Sequence, residues 1–340
     1  MTDIGARTAT RGCLMDLTPM HSQRKQQPMD PYSVLAPAAH VLHECRNAEE
    51  FHTCFESSTG STVQAVVDRI VVPAAPRAVF LTGSLPLGMG TIGSDVDFVV
   101  LIDSQDAIRP SDTGRRSNTS RNLTFSGESD SLRPGLFITV MGGITVEVAA
   151  VLTPHLKRIF SRLRSKGPDL SENEIMTLGR LATGWLLSQS DRYLERCGIT
   201  LDDPAFNVYC STRYFTYARI YGLKAPRALD LSDIPQALHL GRLSVEMAYL
   251  AYFASEGFPY LGAKWLAQLG HARGAAERVS QHPLLEEGIA LLFPMYKPDP
   301  QDARPYLQAV ADFLLSMQAL IGRKTLFRIA FEACPQIKAH

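Results

Sequence analysis

The sequence predicts an α+β protein: a small mixed β-sheet domain with flanking helices over residues 32–152, followed by an all-helical domain over residues 153–340. Three observations carry this expectation. Residues 81–102, LTGSLPLGMGTIGSDVDFVVLI, run as strand, glycine-rich turn and second strand. Two β-rich runs flank Gly142 and Gly143, a hairpin signal. From Pro154 almost to the end the apolar residues recur with the helical period instead of the strand period.

Composition sets the bounds. At 340 residues the chain is long enough for two domains that each bury a core. Its 45% hydrophobic and 20% charged content is that of an ordinary soluble globular protein. The formal net charge is zero, so the bulk basic field that a nonspecific grip on nucleic acid requires is missing, while local basic patches stay open. No stretch reaches the roughly 18 apolar residues of a membrane span and the start of the chain has no hydrophobic signal core, which points to a cytoplasmic protein without a membrane partner. Six cysteines without CxxC spacing fit reduced thiols. His43, Cys45, His52 and Cys54 cluster in sequence, but their spacing is not that of a zinc knuckle and the segment reads as helical.

Residues 1–31 show no apolar period and are expected to be a mobile tail. Residues 32–72 turn helical, with Val34, Leu35, Ala38 and Val41, then Phe51, Phe55, Val63, Val66 and Ile70, before Pro73 and Pro76 close the run. A strand follows at 78–81 and ends in Gly83 and Ser84. The second strand opens with Asp95 and Asp97, although aspartate is a poor strand former. Residues two apart on a strand share a face, so both carboxylates are expected at one spot, where they repel unless a cation sits between them. Hard oxygen ligands of this kind suit Mg²⁺.

The polar stretch 103–134 is expected to be a long mobile loop beside that spot. Arg109, Arg115, Arg116, Arg121 and Arg133 make it either a solvated basic loop or a flap that touches a phosphate-bearing substrate. In the run after Gly143, Ile144, Val146 and Val148 alternate with Thr145, Glu147 and Ala149, which places Glu147 on the face opposite the valines. Helices are expected at roughly 154–164, 172–196, 205–222, 233–256, 260–270, 283–293 and 303–332. Ser171 with Glu174 forms a capping-box pattern ahead of the second.

Asp95, Asp97 and Glu147 thus need one explanation. In-line displacement at a nucleotide α-phosphate calls for neutralised phosphate charge and an activated attacking oxygen. Two Mg²⁺ ions about 3.5–4 Å apart supply both, and three carboxylates on adjacent strands can hold them. Gly83 and Ser84 offer close-approaching backbone N–H groups and a hydroxyl for a triphosphate. The ordered set Leu81-Thr82-Gly83-Ser84, then Gly88, then Ser94-Asp95-Val96-Asp97, then Glu147 within ITVEVAA resembles the DNA polymerase β-like nucleotidyltransferase superfamily, closest in spacing to its minimal, small-molecule type members. The resemblance covers roughly residues 45–152.

The resemblance implies that Asp95 and Asp97 ligate metal, that Glu147 binds the second metal or serves as general base, and that Gly83, Ser84 and Ser94 contact the nucleotide. It implies two Mg²⁺ ions, with Mn²⁺ as a substitute, and an NTP substrate. Two departures stand out. Leu85, Pro86 and Leu87 occupy positions where minimal members often carry an arginine, so phosphate contacts must come from elsewhere, and the third carboxylate is Glu instead of the commoner Asp.

In the helical half, NVYCSTRYFTYARIYGLK interleaves aromatics and cations. Arg213, Tyr217 and Lys224 form either a nucleotide-contacting stripe or core packing with snorkelling cations. Lys264, beside Trp265, is a further candidate for the triphosphate, whereas His155, His239 and His271 read as ordinary histidines. The function implied is Mg²⁺-dependent transfer of an NMP from an NTP to a small-molecule or protein acceptor, releasing pyrophosphate. The alternatives are a tRNA-modifying or toxin-like nucleotidyltransferase, a cyclic-dinucleotide synthase, and a nucleotide-binding scaffold without turnover.

Overall fold

Alternating apolar residues in the first half of the chain build most of a six-stranded mixed sheet with an apolar cluster on each face. The structure, a computed structural model, describes residues 42–75, 77–91, 93–108, 121–123, 135–165, 169–261, 266, 281–292 and 300–323, all within one compact unit spanning 36–340. The strands are β1 (Arg77–Thr82), β2 (Val96–Ile102), β3 (Arg121–Leu123), β4 (Gly135–Met141), β5 (Ile144–Leu152) and β6 (Trp185–Gln189). They lie in the order β3-β4-β5-β2-β1-β6, antiparallel throughout except for the parallel pair β2 and β5. The helices are α1 (Ala48–Thr59), α2 (Val63–Val67), α3 (Thr153–Leu163), α4 (Glu172–Thr183), α5 (Tyr193–Cys197), α6 (Pro204–Asp230), α7 (Ile234–Ser255), α8 (Pro283–Leu292) and α9 (Pro300–Gly322).

One face of the sheet packs on α1 and α2. Phe51 and Phe55 of α1 meet Phe98 edge-on at centroid distances of 6.1 and 5.5 Å, and Val79, Leu81, Val96, Val100, Val146 and Val148 complete this cluster. The other face packs Ala78, Phe80, Val99, Leu101, Ala149 and Val151 against Leu156 and Ile159 of α3 and Leu178 and Leu181 of α4. Beyond these helices, α6 and α7 lie along each other. Two buried hydroxyls stitch them, Ser211 Oγ donating to Ala251 O at 2.8 Å and Ser244 Oγ to Ala218 O at 2.7 Å. Among the described residues no helix is long and apolar enough to cross a membrane.

The α+β class, the hairpin around Gly142 and Gly143 and the Ser171–Glu174 capping box all form as expected. Glu174 N donates to Ser171 Oγ at 3.3 Å and Ser171 N to Glu174 Oε2 at 2.7 Å. The helix expected over 172–196 does not form as one piece. It stops at Thr183, passes through Gly184, becomes edge strand β6 and resumes as the short α5. Position 184 explains the break, because a Cβ there would stand 2.7 Å from Leu81 O and 2.9 Å from Arg180 O. Only a glycine lets the chain pass that close to β1 before pairing with it. Within the polar stretch 103–134, residues 121–123 pair with the edge of β4 as strand β3, a correction to the expected structureless loop. The tail 1–31, Arg109, Arg115, Arg116, Arg133, Lys264 and His271 lie outside the described residues.

Candidate active site

Strand alternation decides what converges. On β2, Val96, Phe98, Val100 and Ile102 point into the α1 and α2 cluster, so Asp97 points with Val99 and Leu101 toward the helical half. On β5, Ile144, Val146, Val148 and Ala150 take the same inner face, so Glu147 points with Ala149 and Val151. The parallel register sets Asp97 directly beside Glu147. Farther along the same face Val99, Leu101, Ala149 and Val151 are covered by α3 and α4, whereas Asp97, Thr145 and Glu147 are only half-buried. The two carboxylates therefore sit where this face of the sheet opens to solvent.

Asp95 does not share that strand position. The sequence places it on β2, but the strand begins at Val96 and Asp95 is exposed in the segment before it. The reason lies in both neighbours: β1 ends its pairing at Thr82, opposite Asp97, and β5 holds β2 only from Val146, opposite Val96. Gly83 then adopts φ +82° and turns the chain away, so the ladder has no partner for residue 95. Asp95 still acts on the site through its charge, as one of the groups that disfavour ionisation of Asp97.

Burial pushes the Asp97 carboxyl up from its ordinary 3.8 to about 6. The Arg180 guanidinium opposes this, while the negative charges of Glu147 and Asp95 and a hydrogen bond with Glu147 add to it. The site is thus an anion-rich spot in which the Asp97 carboxyl gives up its proton less readily than an ordinary aspartate. Thr82 Oγ1 donates to Asp97 O at 3.3 Å and fixes the backbone of this residue.

The glycine turn closes one side. A Cβ on residue 83 would stand 2.1 Å from Asp97 Oδ2, so the main chain of Gly83 lies directly against the carboxylate. Leu85, Leu87 and Met89 are buried and anchor the turn, and Met89 N donates to Ser84 O at 3.0 Å. Ser84 stays half-buried beside Gly83. Ser94 has a local part: Thr91 N donates to Ser94 Oγ at 2.8 Å and Ser94 N to Thr91 O at 2.9 Å, closing the turn that feeds β2.

Arg180, in the last turn of α4, is the residue that sequence reading missed. Its Nη1 is 3.8 Å from Asp97 Oδ1, its side chain is 23% exposed, and its Nε is buried without a hydrogen-bond partner. The signal was the helix stop at Gly184, which delivers the end of α4 to the end of β1. Arg213 is engaged elsewhere. It donates from Nη1 to Leu170 O at 2.7 Å and Tyr209 Oη at 2.9 Å, and from Nη2 to Glu172 Oε1 at 3.1 Å, which clamps the start of α4 to α6. Its guanidinium also lies 5.7 Å from the centre of the Tyr217 ring, which stacks on Tyr221. Lys224 is exposed farther along α6. The contacts of Arg213 and Tyr217 favour the packing alternative for this stripe.

Among the described residues no group of three or more His, Cys, Asp or Glu side chains is preassembled around a metal position. The donor chemistry nevertheless fits a hard divalent cation at the Asp97–Glu147 pair: two adjacent carboxylates, with the charges of Glu147 and of the nearby Asp95 both disfavouring ionisation of Asp97.

Among solved structures, a nucleotidyltransferase-like protein from Exiguobacterium sibiricum is similar to this chain, with 11% identity, coverage of 76% of this chain and 74% of that one, and a TM-score of 0.37. No family model matches the chain, and no curated protein matches it.

Proposed function

We propose that the chain is a Mg²⁺-dependent nucleotidyltransferase that moves an NMP from an NTP onto a hydroxyl of a small-molecule or protein acceptor. The observation that carries this reading is the Asp97–Glu147 pair, set side by side by parallel strands, with the main chain of Gly83 pressed against Asp97. Asp97 and Glu147 are the residues to hold the cation, with Asp95 reaching in from the segment before β2. When bound, the ion neutralises phosphate charge and raises the reactivity of the attacking oxygen. The parts of the chain divide the remaining work. The bare backbone at Gly83 makes room for the Asp97 carboxylate, which stands where a side chain at that position would be. Thr82 Oγ1 steadies Asp97 through its backbone carbonyl. The acceptor oxygen attacks the α-phosphorus, its proton passes to a base, and the bond from the α-phosphorus to the pyrophosphate oxygen breaks. Zero net charge weighs for a small or protein acceptor over a long polyanion.

Incubation with each α-labelled NTP, Mg²⁺ and panels of hydroxyl acceptors should transfer label and release pyrophosphate. Glu147→Gln keeps the fold and lowers the transfer rate by at least about 10²-fold, a typical loss when an electrostatic catalytic group is removed. Equal rates for wild type and Glu147→Gln, or for an Asp95→Ala, Asp97→Ala double variant, would sink the assignment of the site.

A further inference from the structure

We propose that Arg180 is the site's anion-binding residue and that its ligand is the phosphate chain of the donor nucleotide, an inference that rests on the nucleotidyltransferase reading above. The guanidinium carries five N–H donors in a planar fork. Among the described residues its ion-pair partner is Asp97, at 3.8 Å, too long for a hydrogen bond. Its Nε is buried and has no partner. A buried donor left without a partner is a destabilising arrangement that folded proteins seldom keep without a use. Arg213 in the same half of the chain also keeps a buried Nε without a partner, so the contrast lies in the terminal nitrogens: its Nη1 and Nη2 reach three oxygens at 2.7 to 3.1 Å, whereas Arg180 Nη1 has Asp97 at 3.8 Å.

The placement selects the ligand. Arg180 lies in the last turn of α4, four residues before Gly184, and Gly184 lies against Leu81 O and the Thr82 side chain, the last two residues of β1 before the Gly83 turn. The guanidinium, the Gly83 backbone and Glu147 therefore converge on Asp97 from three sides. An anion there gains a bidentate, charge-assisted contact from Arg180. The carboxylates exclude that anion unless cations accompany it, which is the chemistry of a metal-bound polyphosphate. Leu85, Pro86 and Leu87 supply no cation from the turn itself, so Arg180 fills the need from the helical side. In the nucleotide-free protein Arg180 leans on Asp97, and the arriving polyphosphate and its cation part the two.

The test measures binding of the four α,β-methylene NTP analogues in Mg²⁺, and separately of Mn²⁺ without nucleotide, to wild type, Arg180→Gln and Arg180→Lys. Arg180→Gln is expected to weaken the analogue that wild type binds best by about 10- to 100-fold, as for a lost hydrogen bond to a charged group, with Arg180→Lys in between. Mn²⁺ binding is expected to hold or tighten in Arg180→Gln, because a competitor for Asp97 is gone. Unchanged analogue affinity in Arg180→Gln overturns the proposal while leaving the nucleotidyltransferase reading in place. A parallel loss of Mn²⁺ and analogue binding in both variants also overturns it, by showing that Arg180 only props the site. If wild type binds none of the four analogues, the reading of the whole site falls and Arg180 with it.

Discussion

Replacing Asp97 with asparagine is expected to stabilise the metal-free protein at neutral and higher pH and far less in acid. The Asp97 carboxyl is pushed up from 3.8 to about 6 by burial and by the charges of Glu147 and Asp95, in spite of Arg180. Because the folded state holds this proton more tightly than the unfolded chain, the stabilisation from the protonated group is fully present below pH 3.8 and is lost as the pH rises through about 6. The span corresponds to about 3 kcal/mol at about 1.4 kcal/mol per decade, and with 19% of the side chain exposed little of it is screened away. Asparagine keeps the shape and never ionises. Urea unfolding in EDTA should therefore show Asp97→Asn ahead of wild type by about 3 kcal/mol at pH 7.5 and close to level with it at pH 4. Adding Mn²⁺ should raise the wild-type midpoint and leave that of Asp97→Asn nearly where it was. A gap that does not change with pH, or an asparagine variant less stable than wild type at pH 7.5, would refute the argument that two crowded carboxylates are held together against their repulsion.

Gly83→Ala places a Cβ 2.1 Å from Asp97 Oδ2 at a residue with φ +82°. It should lower stability by about 1 kcal/mol or more, read by thermal melting, and abolish binding of NTP analogues by driving the carboxylate aside. Arg213→Ala should destabilise the fold by about 2–4 kcal/mol, since it strips Leu170 O, Tyr209 and Glu172 of their shared donor, while leaving analogue affinity within about twofold of wild type. A tenfold loss of affinity at unchanged stability would return Arg213 to the nucleotide site. Tyr193→Phe removes a fully buried hydroxyl held between Thr153 Oγ1 at 2.6 Å and Asp103 Oδ1 at 2.7 Å, and should cost about 1–3 kcal/mol in urea unfolding.

The parts of the fold written in local chemistry were legible. Alternation in ITVEVAAVL put Glu147 opposite Val146 and Val148, two glycines marked the hairpin, and Ser171 with Glu174 announced the start of α4. The parts decided by distant contacts were not. The window 172–196 carries apolar residues at helical spacing straight through Gly184, and nothing within it shows that Leu81 O stands 2.7 Å from a Cβ at that position. Missing that break hid both β6 and the destination of Arg180, which reads in sequence as one more cation in a helix. The period-two rule puts Asp95 on β2 because it says where a strand residue points but not where the strand begins; that limit is set by the last pairs with the neighbouring strands, Thr82 with Asp97 and Val146 with Val96. Interleaved aromatics and cations around Arg213 fitted two readings equally well, and only its partners separate them.

The register between β2 and β5 joins the stability of the fold to its chemistry. Asp97 meets Glu147 only because Val96 is paired with Val146 and Phe98 with Val148. A slip of one residue would turn Glu147 to the face held by Phe51, Phe55 and Phe98, where a carboxylate has no partner, and would send Val146 and Val148 to the open side. Both changes oppose the slip, each by several kcal/mol on the usual scale for burying an unpaired charge or exposing a core side chain. The apolar pattern on one face of the sheet therefore aligns the acids on the other. The carboxylates need not attract one another to stay adjacent; the valines and phenylalanines behind them hold the pair in place, and the repulsion that results is what a cation relieves.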